Sequence, residues 1–194
     1  MSKITELLNG ICGELRNLGI NANEFLRPGI SAEQIGEVSS VLPFSLPKEV
    51  CELYLWRNGS LLEGVTTENR LFPRYIFLSL QRSVSTTKIL VSSSAKDESQ
   101  WSPNWYTLCD DLAGDYYALI ATPNDPSCGR IMRVTELVDP FPAFWSFERM
   151  LLSILECYRS GAYYLGEDGF LEEDTGLSDE LYKRFNNGLS PIFE

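Results

Sequence analysis

Acidic side chains are the groups through which this 194-residue sequence could do chemistry, and they form two groups along the chain. Carboxylates act as general acids and bases, as ligands of calcium and magnesium, and as contacts for basic protein surfaces. The members are Asp110, Asp111 and Asp115 in the first group, and Glu167, Asp168, Glu172, Glu173 and Asp174 in the second.

Acid–base catalysis and metal binding are both disfavoured for these carboxylates. A catalytic pair must flank one bond, whereas Asp110 and Asp111 are adjacent at a strand end, where neighbouring side chains point to opposite faces. The spacing of the first group matches no EF-hand loop, and Asp168-Gly169 lacks the remaining ligands of such a loop. We therefore predict no catalytic residue, no metal site and no cofactor.

Contact with a basic protein partner is the role that we predict for both acidic groups. One alternative stays open, in which the carboxylates are solvated turn formers. This alternative is strongest for Asp115, because the sequence Gly114-Asp115 favours a turn in any protein. Another alternative is an enzyme that uses only carboxylates, tyrosine or lysine. Such an activity would be abolished by Asp111→Asn, which would weaken a broad interface only mildly.

Tryptophan side chains are the other candidates for partner binding, because this residue is enriched in interface hot spots. Trp101 lies in a predicted loop, so we expect it to be exposed and to contact the partner. Trp56 and Trp145 lie within or beside predicted amphipathic helices, so we expect them in the core.

Histidine is absent from the sequence, which excludes Ser-His-Asp and Cys-His catalysis. The five cysteines are far apart and include no Cys-x-x-Cys pair, which predicts buried free thiols in a reducing compartment.

A net charge of -11 disfavours direct binding of nucleic acid and favours encounters with basic proteins. The sequence shows neither a signal-peptide core nor an apolar run that could span a membrane, so we predict a cytoplasmic protein.

Helical spacing characterises the first sixty residues. Apolar residues recur on one helical face from Ile4 to Leu18. Ser31 and Gln34 form a capping-box pattern for a second helix, and a third runs from Pro47 to the terminating pair Asn58-Gly59.

Aromatic and β-branched runs follow, and they predict strands. The short loops between the last three strands favour an antiparallel meander rather than crossover helices. Residues 80–94 fit either a helix or a strand, and we favour a helix. The predicted strands are Tyr75–Leu80, Trp105–Cys109, Tyr116–Thr122 and Arg130–Val134.

The last part of the chain combines a helix with an acidic segment. Ser146 caps a strongly amphipathic helix that ends before Gly161. From Ala162 onward eight acidic residues stand against two basic ones, a net -6. The aromatic and leucine residues of this segment predict that it packs on the domain, with a short helix over Ser178–Phe185. Together these elements predict a single α+β domain, with helices flanking a small antiparallel sheet.

Four motifs occur in an informative order. Leu46-Pro47 opens a helix that ends at Asn58-Gly59, and Leu71-Phe72 with the run Phe77–Leu80 indicates a strand that leads into a helix. These are the first and second motifs.

The third motif is Trp105–Cys109 with Asp111 and the run Gly114–Leu119, which indicates two strands joined by a Gly-Asp turn. The fourth is Ala143–Leu151, in which Ser-Phe begins a leucine-rich helix. In this order, over residues 31–160, the motifs resemble the SUKH superfamily. They are most similar to its Smi/Knr-type branch, which includes bacterial toxin-immunity proteins and fungal cell-wall-assembly regulators.

The resemblance implies an α+β domain of the SUKH type with no known catalytic centre. The organisation expected is an N-terminal helix and connection at 1–30, a SUKH-like core at 31–160, and an acidic C-terminal extension at 161–194 packed on that core. The function implied is non-enzymatic protein binding, by an immunity protein that covers the active surface of a basic toxin or nuclease domain. The alternative is a regulatory scaffold in cell-wall assembly or signalling, ranked lower because such scaffolds usually carry long disordered flanks.

Overall fold

A computed structural model describes residues 1–61, 70–94, 101–123 and 125–192 of the chain. Within these residues, six α-helices and nine β-strands form a mixed arrangement in which the sheets are antiparallel, which confirms the predicted α+β class. None of the helices in these ranges is long and apolar enough to cross a membrane.

Capping side chains mark where most of the helices begin. Ser2, Ser31, Ser146 and Asp174 each accept a hydrogen bond from a backbone N–H of the helix that follows, and Ser31 and Gln34 form the predicted capping box. The predicted helix over residues 80–94 is confirmed. The helices are α1 (Lys3–Asn17), α2 (Ala32–Ser39), α3 (Lys48–Trp56), α4 (Leu80–Ser94), α5 (Phe147–Arg159) and α6 (Thr175–Phe185).

The strands are β1 (Leu26–Pro28), β2 (Arg57–Ser60), β3 (Ile76–Phe77), β4 (Trp105–Asp110), β5 (Tyr116–Ile120), β6 (Ile131–Val134), β7 (Phe141–Phe144), β8 (Tyr163–Leu165) and β9 (Leu171–Glu173). The main sheet has the order β3-β4-β5-β6-β7, and the pairs β1-β2 and β8-β9 form separate small sheets. The predicted meander is confirmed, and β7 extends it. Sequence patterns missed β7 because Pro142 interrupts it, although proline is compatible with an edge strand.

Hydroxyl groups join the helices to the sheet inside the core. Thr87 of α4 accepts a hydrogen bond from the backbone N–H of Thr107 on β4 at 3.0 Å. Ser83, also on α4, donates to the carbonyl of Thr107 and accepts from the Tyr54 hydroxyl of α3 at 3.2 Å. Tyr106 on β4 donates in turn to the Tyr54 hydroxyl at 2.9 Å. All of these side chains are buried, so the network satisfies their polar groups away from water.

The pair Asn58-Gly59 follows α3 directly and contacts the start of α4, although twenty residues separate Gly59 from Leu80 in sequence. Helix α3 ends at Trp56, and the pair lies within β2 rather than in a simple helix terminus. The Asn58 side-chain oxygen accepts a hydrogen bond from the backbone N–H of Leu80, the first residue of α4, at 2.9 Å. Gly59 has a φ of 80° and lies so close to the backbone of Ser79 that a Cβ would be 2.3 Å from its nitrogen. Only glycine fits this position.

We expect Gly59→Ala to lower the free energy of unfolding by at least ~3 kcal/mol, because backbone strain at positive φ adds to a collision with neighbouring backbone. Gly19→Ala is the matched control. Gly19 also has a positive φ, 84°, but a Cβ there would have no neighbour within 4 Å. We expect Gly19→Ala to lower the free energy of unfolding by only ~1 kcal/mol, because backbone strain is its only cost. Urea unfolding of both variants measures the difference, and equal losses would contradict the close approach described for Gly59.

Candidate functional site

A cleft of about 240 Å³ lies at one end of the main sheet, between the β4–β5 turn and the C-terminal segment. Both predicted acidic groups contribute to its walls, although they are far apart in sequence. We call it the Arg133 cleft. Its lining residues are Pro73, Arg74, Tyr75, Asp111, Asp115, Tyr117, Arg133, Glu173, Tyr182, Pro191 and Ile192.

The first wall is the β4–β5 turn, which carboxylates hold in shape. One oxygen of Asp111 accepts from the backbone N–H groups of Ala113 at 2.7 Å and Asp115 at 2.9 Å. Asp110 accepts from the N–H of Leu112 at 2.7 Å, and it is buried at 7% exposure. Asp110 therefore shapes the turn from inside, whereas Asp111 and Asp115 reach the cleft.

Arg133 of β6 forms the floor of the cleft. Its guanidinium donates to a carboxylate oxygen of Asp115 at 3.0 Å and to the carbonyl oxygen of Pro191. The side chains of both members of the pair are only about a quarter exposed, at 25% and 22%. Breaking such a half-buried pair would leave one charge poorly solvated, so Arg133 ties the β4–β5 turn to the C-terminal segment.

The opposite wall is Glu173, at the end of β9. One of its oxygens accepts from the Ser178 hydroxyl at 2.7 Å and from the Tyr182 hydroxyl at 3.4 Å, both on α6. The other oxygen is 3.3 Å from Nε of Arg74. Glu173 is thus held by its neighbours, and its charge faces the same cavity as Asp111 and Asp115.

The remaining acidic residues of the second group lie outside the cleft and are exposed. Asp174 caps α6 by accepting from the N–H of Leu177 at 3.0 Å, and Asp168 accepts from the N–H of Phe170 at 3.1 Å in the β8–β9 turn. Glu172 lines a neighbouring cavity together with Glu173, and Glu167 is in the same turn as Asp168. These carboxylates form an exposed acidic rim next to the cleft.

Tyr75 and Tyr117 form an aromatic wall, with ring centroids 4.1 Å apart. They are 5% and 7% exposed, and neither hydroxyl makes a hydrogen bond within the described parts of the chain. Burial raises the pKa of Tyr75, and the charges of Asp115 and Asp111 raise it further while that of Arg133 lowers it. Those charges act on the phenol because its hydroxyl lies among them. Burial likewise raises the pKa of Tyr117. Both hydroxyls therefore keep their protons at neutral pH.

The expected exposure of Trp101 is wrong. Trp101 is 5% exposed, and its ring packs edge-on against Trp105 and Tyr116 at centroid distances of 5.7 and 6.1 Å. Aromatic neighbours bury this side chain even though its backbone is irregular. Its Nε1 is buried without a hydrogen-bond partner in the described residues. The expected burial of Trp145 is also wrong: Trp145 is 43% exposed, with the Arg130 guanidinium 4.1 Å from its ring centroid.

Sequence patterns did not identify Tyr75, Tyr117 or Arg133 as site residues. A usable signal was present for Arg133, because it is the one charged residue within the strand Ile131–Val134. A charge in an otherwise apolar strand needs a partner. Its partner Asp115 has the opposite charge and directly precedes β5, the strand that pairs with β6. The register of that pairing, in which Tyr117 lies opposite Arg133, could have suggested Asp115 as the partner.

The cysteines lie away from the cleft. All five cysteines are free, and none lines the cleft. Across the described residues, no three side chains among His, Cys, Asp and Glu come together in a way that could hold a metal ion.

The chain also matches a known protein family. The model of the SMI1 / KNR4 family (SUKH-1) matches residues 29–153, which is more than half of the chain. A search of curated proteins found no match. The matched region includes Tyr75, Asp111 and Arg133, whereas Glu173 and Pro191 lie outside it.

We expect Trp101→Phe to change the free energy of unfolding by no more than ~1 kcal/mol, because it removes a buried unpaired N–H together with some apolar area. Trp101→Ala removes nearly the whole ring and should cost ~3–5 kcal/mol. Denaturant unfolding monitored by circular dichroism tests both variants. A phenylalanine variant as unstable as the alanine variant would mean that the indole N–H has a partner.

We expect a thiol reagent at about pH 8 to modify Cys128 rapidly in the folded protein, because Cys128 alone among the five is exposed. Burial raises the pKa of Cys12 to about 11 and that of Cys157 to about 12, so both stay protonated and slow at that pH. Absorbance of the released thiolate counts the reacting groups. The variant Cys128→Ser should lose the fast phase, and a fast phase that persists in it would contradict the lower exposure of the other four, of which Cys109 and Cys157 are buried and Cys12 and Cys51 partly buried.

Proposed function

We propose, from the premise that this chain belongs to the SMI1 / KNR4 family (SUKH-1), that it is a non-enzymatic protein-binding domain and, specifically, an immunity protein. It would neutralise a basic toxin or nuclease domain in the cytoplasm by covering the toxin's active surface. Family membership rests on the match over residues 29–153. The step from family to immunity protein is our proposal.

One observation carries this proposal. The two acidic groups, separated by more than fifty residues in sequence, meet around the Arg133 cleft, with Asp111 and Asp115 on one wall and Glu173 on the other. The exposed rim of Glu167, Asp168, Glu172 and Asp174 adds four more negative charges beside it. A surface with an excess of one charge sign raises the rate of encounter with an oppositely charged partner and fixes its orientation.

The geometry of the carboxylates argues for binding rather than hydrolysis. Asp110 is buried in the turn, while Asp111 and Asp115 accept hydrogen bonds from backbone and from Arg133. A pair of catalytic carboxylates must flank one bond of a substrate, whereas these side chains are committed to holding the turn and the Arg133 guanidinium. Carboxylates held in fixed positions suit contact with lysine and arginine on a partner.

The test is capture of the tagged full-length protein's partners from its own lysate at about 0.05 M and about 0.15 M salt, where screening differs substantially. We expect a basic toxin or nuclease domain that is held more strongly at the lower salt. Co-expression of this protein with that domain should then restore growth. Several signalling proteins, without relief of toxicity, would favour a regulatory scaffold and overturn the immunity proposal, as would capture of no protein at either salt.

A pair of charge variants locates the surface. Asp168→Asn with Glu172→Gln removes two charges from the acidic rim, and the asparagine can still accept the turn hydrogen bond from Phe170. We expect this pair to weaken partner binding about three- to tenfold, the usual effect of two exposed charges. The control is Glu33→Gln with Glu37→Gln on α2, where both side chains are exposed and the same net charge is lost. Equal weakening by the two pairs would contradict a specific role for the rim.

A further inference from the structure

A second cavity, of about 620 Å³, lies between α4, the start of β5 and the segment that follows β6. We call it the Trp101 cavity. It shares no lining residue with the Arg133 cleft, and its volume is within the range of about 300–1,000 Å³ that is typical for binding sites. The apolar side chains that line it are Leu90, Trp101, Val134, Leu137 and Val138.

The indole of Trp101 has a hydrogen-bond donor without an acceptor. Trp101 is only 5% exposed, and its Nε1 has no hydrogen-bond partner in the described part of the chain. The residue is otherwise well held, since its backbone carbonyl accepts from the Ser94 hydroxyl of α4 at 2.8 Å and its ring packs against Trp105 and Tyr116. Buried polar groups are nearly always hydrogen-bonded in a folded protein. A donor left unpaired on a side chain that lines a cavity therefore indicates an acceptor on a bound molecule.

The charges around the cavity restrict that acceptor to an uncharged group. Among the described residues that line it there is no lysine or arginine, whereas Glu136 and Asp139 both line it and are exposed. Burial raises the pKa of the Tyr116 phenol on the same wall, and nearby carboxylates including Glu136 raise it further, although the charge of Arg82 lowers it. A surface with this excess of negative charge repels a carboxylate or a phosphate but accommodates an amide carbonyl.

Exposed apolar side chains around the cavity favour a protein segment over a small molecule. Leu137 is 91% exposed, although its backbone N–H donates to the Thr135 hydroxyl at 3.1 Å in a defined turn. Leu112, two residues before the lining residue Gly114, is 56% exposed and has a φ of 68°, which is rare for leucine. A molecule enclosed in the cavity would leave these leucines in water. A protein chain that lies across the cavity would cover apolar surface outside it as well.

We propose that the Trp101 cavity receives an apolar side chain of a protein partner, whose main-chain carbonyl accepts a hydrogen bond from Nε1 of Trp101. A lysine or arginine next to that side chain in the partner would face Glu136 and Asp139. Because Nε1 is covered in this structure, side chains of the cavity must change rotamer as the carbonyl arrives. This inference rests on the proposed function for the existence of a basic protein partner. It adds a hot spot of the usual kind, an apolar anchor in a pocket, away from the Arg133 cleft.

The probe is the capped dipeptide N-acetyl-phenylalanyl-lysine N-methylamide, titrated into the full-length protein and followed by proton–nitrogen NMR spectra. We expect saturable shifts at the amides of residues 134–139 and a downfield shift of the Trp101 indole N–H, whose signal is identified by its absence from Trp101→Phe. The alanyl-lysine analogue should bind about tenfold more weakly, because it lacks the apolar anchor. The phenylalanyl-glutamate analogue should bind about three- to tenfold more weakly, because its charge is repelled.

Two variants locate the site. Trp101→Phe keeps a ring in the same position and removes the donor, so we expect about three- to tenfold weaker binding of the probe. Leu137→Ser changes a side chain that is almost fully exposed, so the fold is retained, and it should weaken binding about threefold or more. The control is Trp145→Phe, because Trp145 is an exposed tryptophan that does not line the cavity. This variant should bind the probe as the unmodified protein does.

Four results would overturn the inference. They are the absence of saturable binding by the phenylalanyl-lysine probe, an indole signal of Trp101 that stays in place while the probe binds, equal affinities of Trp101→Phe and Trp145→Phe, and binding of acetophenone as strong as that of the dipeptide. The last result would indicate a small-molecule site instead of a protein-docking site.

The outcome is separable from that of the proposed function. Binding of the dipeptide in the cavity, with no basic partner captured from the lysate, would support the docking site and refute the immunity proposal. A captured basic toxin together with any of the four results would support the function and refute the docking site.

Discussion

The contact between Gly59 and the backbone of Leu78 and Ser79 is the constraint on which the rest of the domain depends. It lets β2 contact the chain just before α4, while the Asn58 side chain accepts a hydrogen bond from the first backbone N–H of that helix. The start of α4 is thereby fixed, and Ser83 and Thr87 on its inner face bind the backbone and side chain of Thr107 in β4. The placement of β4 in turn determines where the β4–β5 turn projects. The pair Asn58-Gly59, which resembles an ordinary helix terminator in the sequence, therefore positions the central sheet.

Strand register explains how residues distant in sequence come together in the Arg133 cleft. Ile76 pairs with Asp110, Asp110 pairs with Tyr116, and Tyr117 pairs with Arg133. The neighbours Tyr75, Asp111 and Asp115 must consequently lie at the same end of the sheet. A shift of register by one residue would turn Arg133 to the opposite face and separate it from Asp115, because side chains alternate along a strand. The ion pair and the register therefore support each other.

Local signals in the sequence predicted the helices well, since caps and apolar spacing act within a few residues. Ser31 with Gln34, and Ser146, are examples in which the predicted capping group is the observed one. The three-residue strands β8 and β9 were not predicted, because so short a segment has no detectable period. Trp101 was misjudged for a different reason: irregular backbone says nothing about whether a side chain is covered by rings from β4 and β5. The cleft itself depends on pairing between distant segments, which one sequence cannot reveal.

The C-terminal segment supplies one wall of the cleft and has an anchor of its own. It is attached through Asn186, which is fully buried, donates to the Ser153 hydroxyl of α5 at 2.8 Å and accepts from the backbone N–H of Trp145 at 3.1 Å. Asn186 thus attaches the segment to α5. Glu173 precedes Asn186 in sequence and Pro191 follows it, and both of these residues line the cleft. The family match ends at residue 153, so the wall that these two residues provide is not part of the matched region. A change at Glu173 would alter the charge of the cleft while the Gly59 contact and the Tyr54 hydroxyl network remain intact. The wall of the cleft and the framework of the sheet are therefore held largely by different contacts, and the hydrogen bond from Arg133 to Pro191 joins the two.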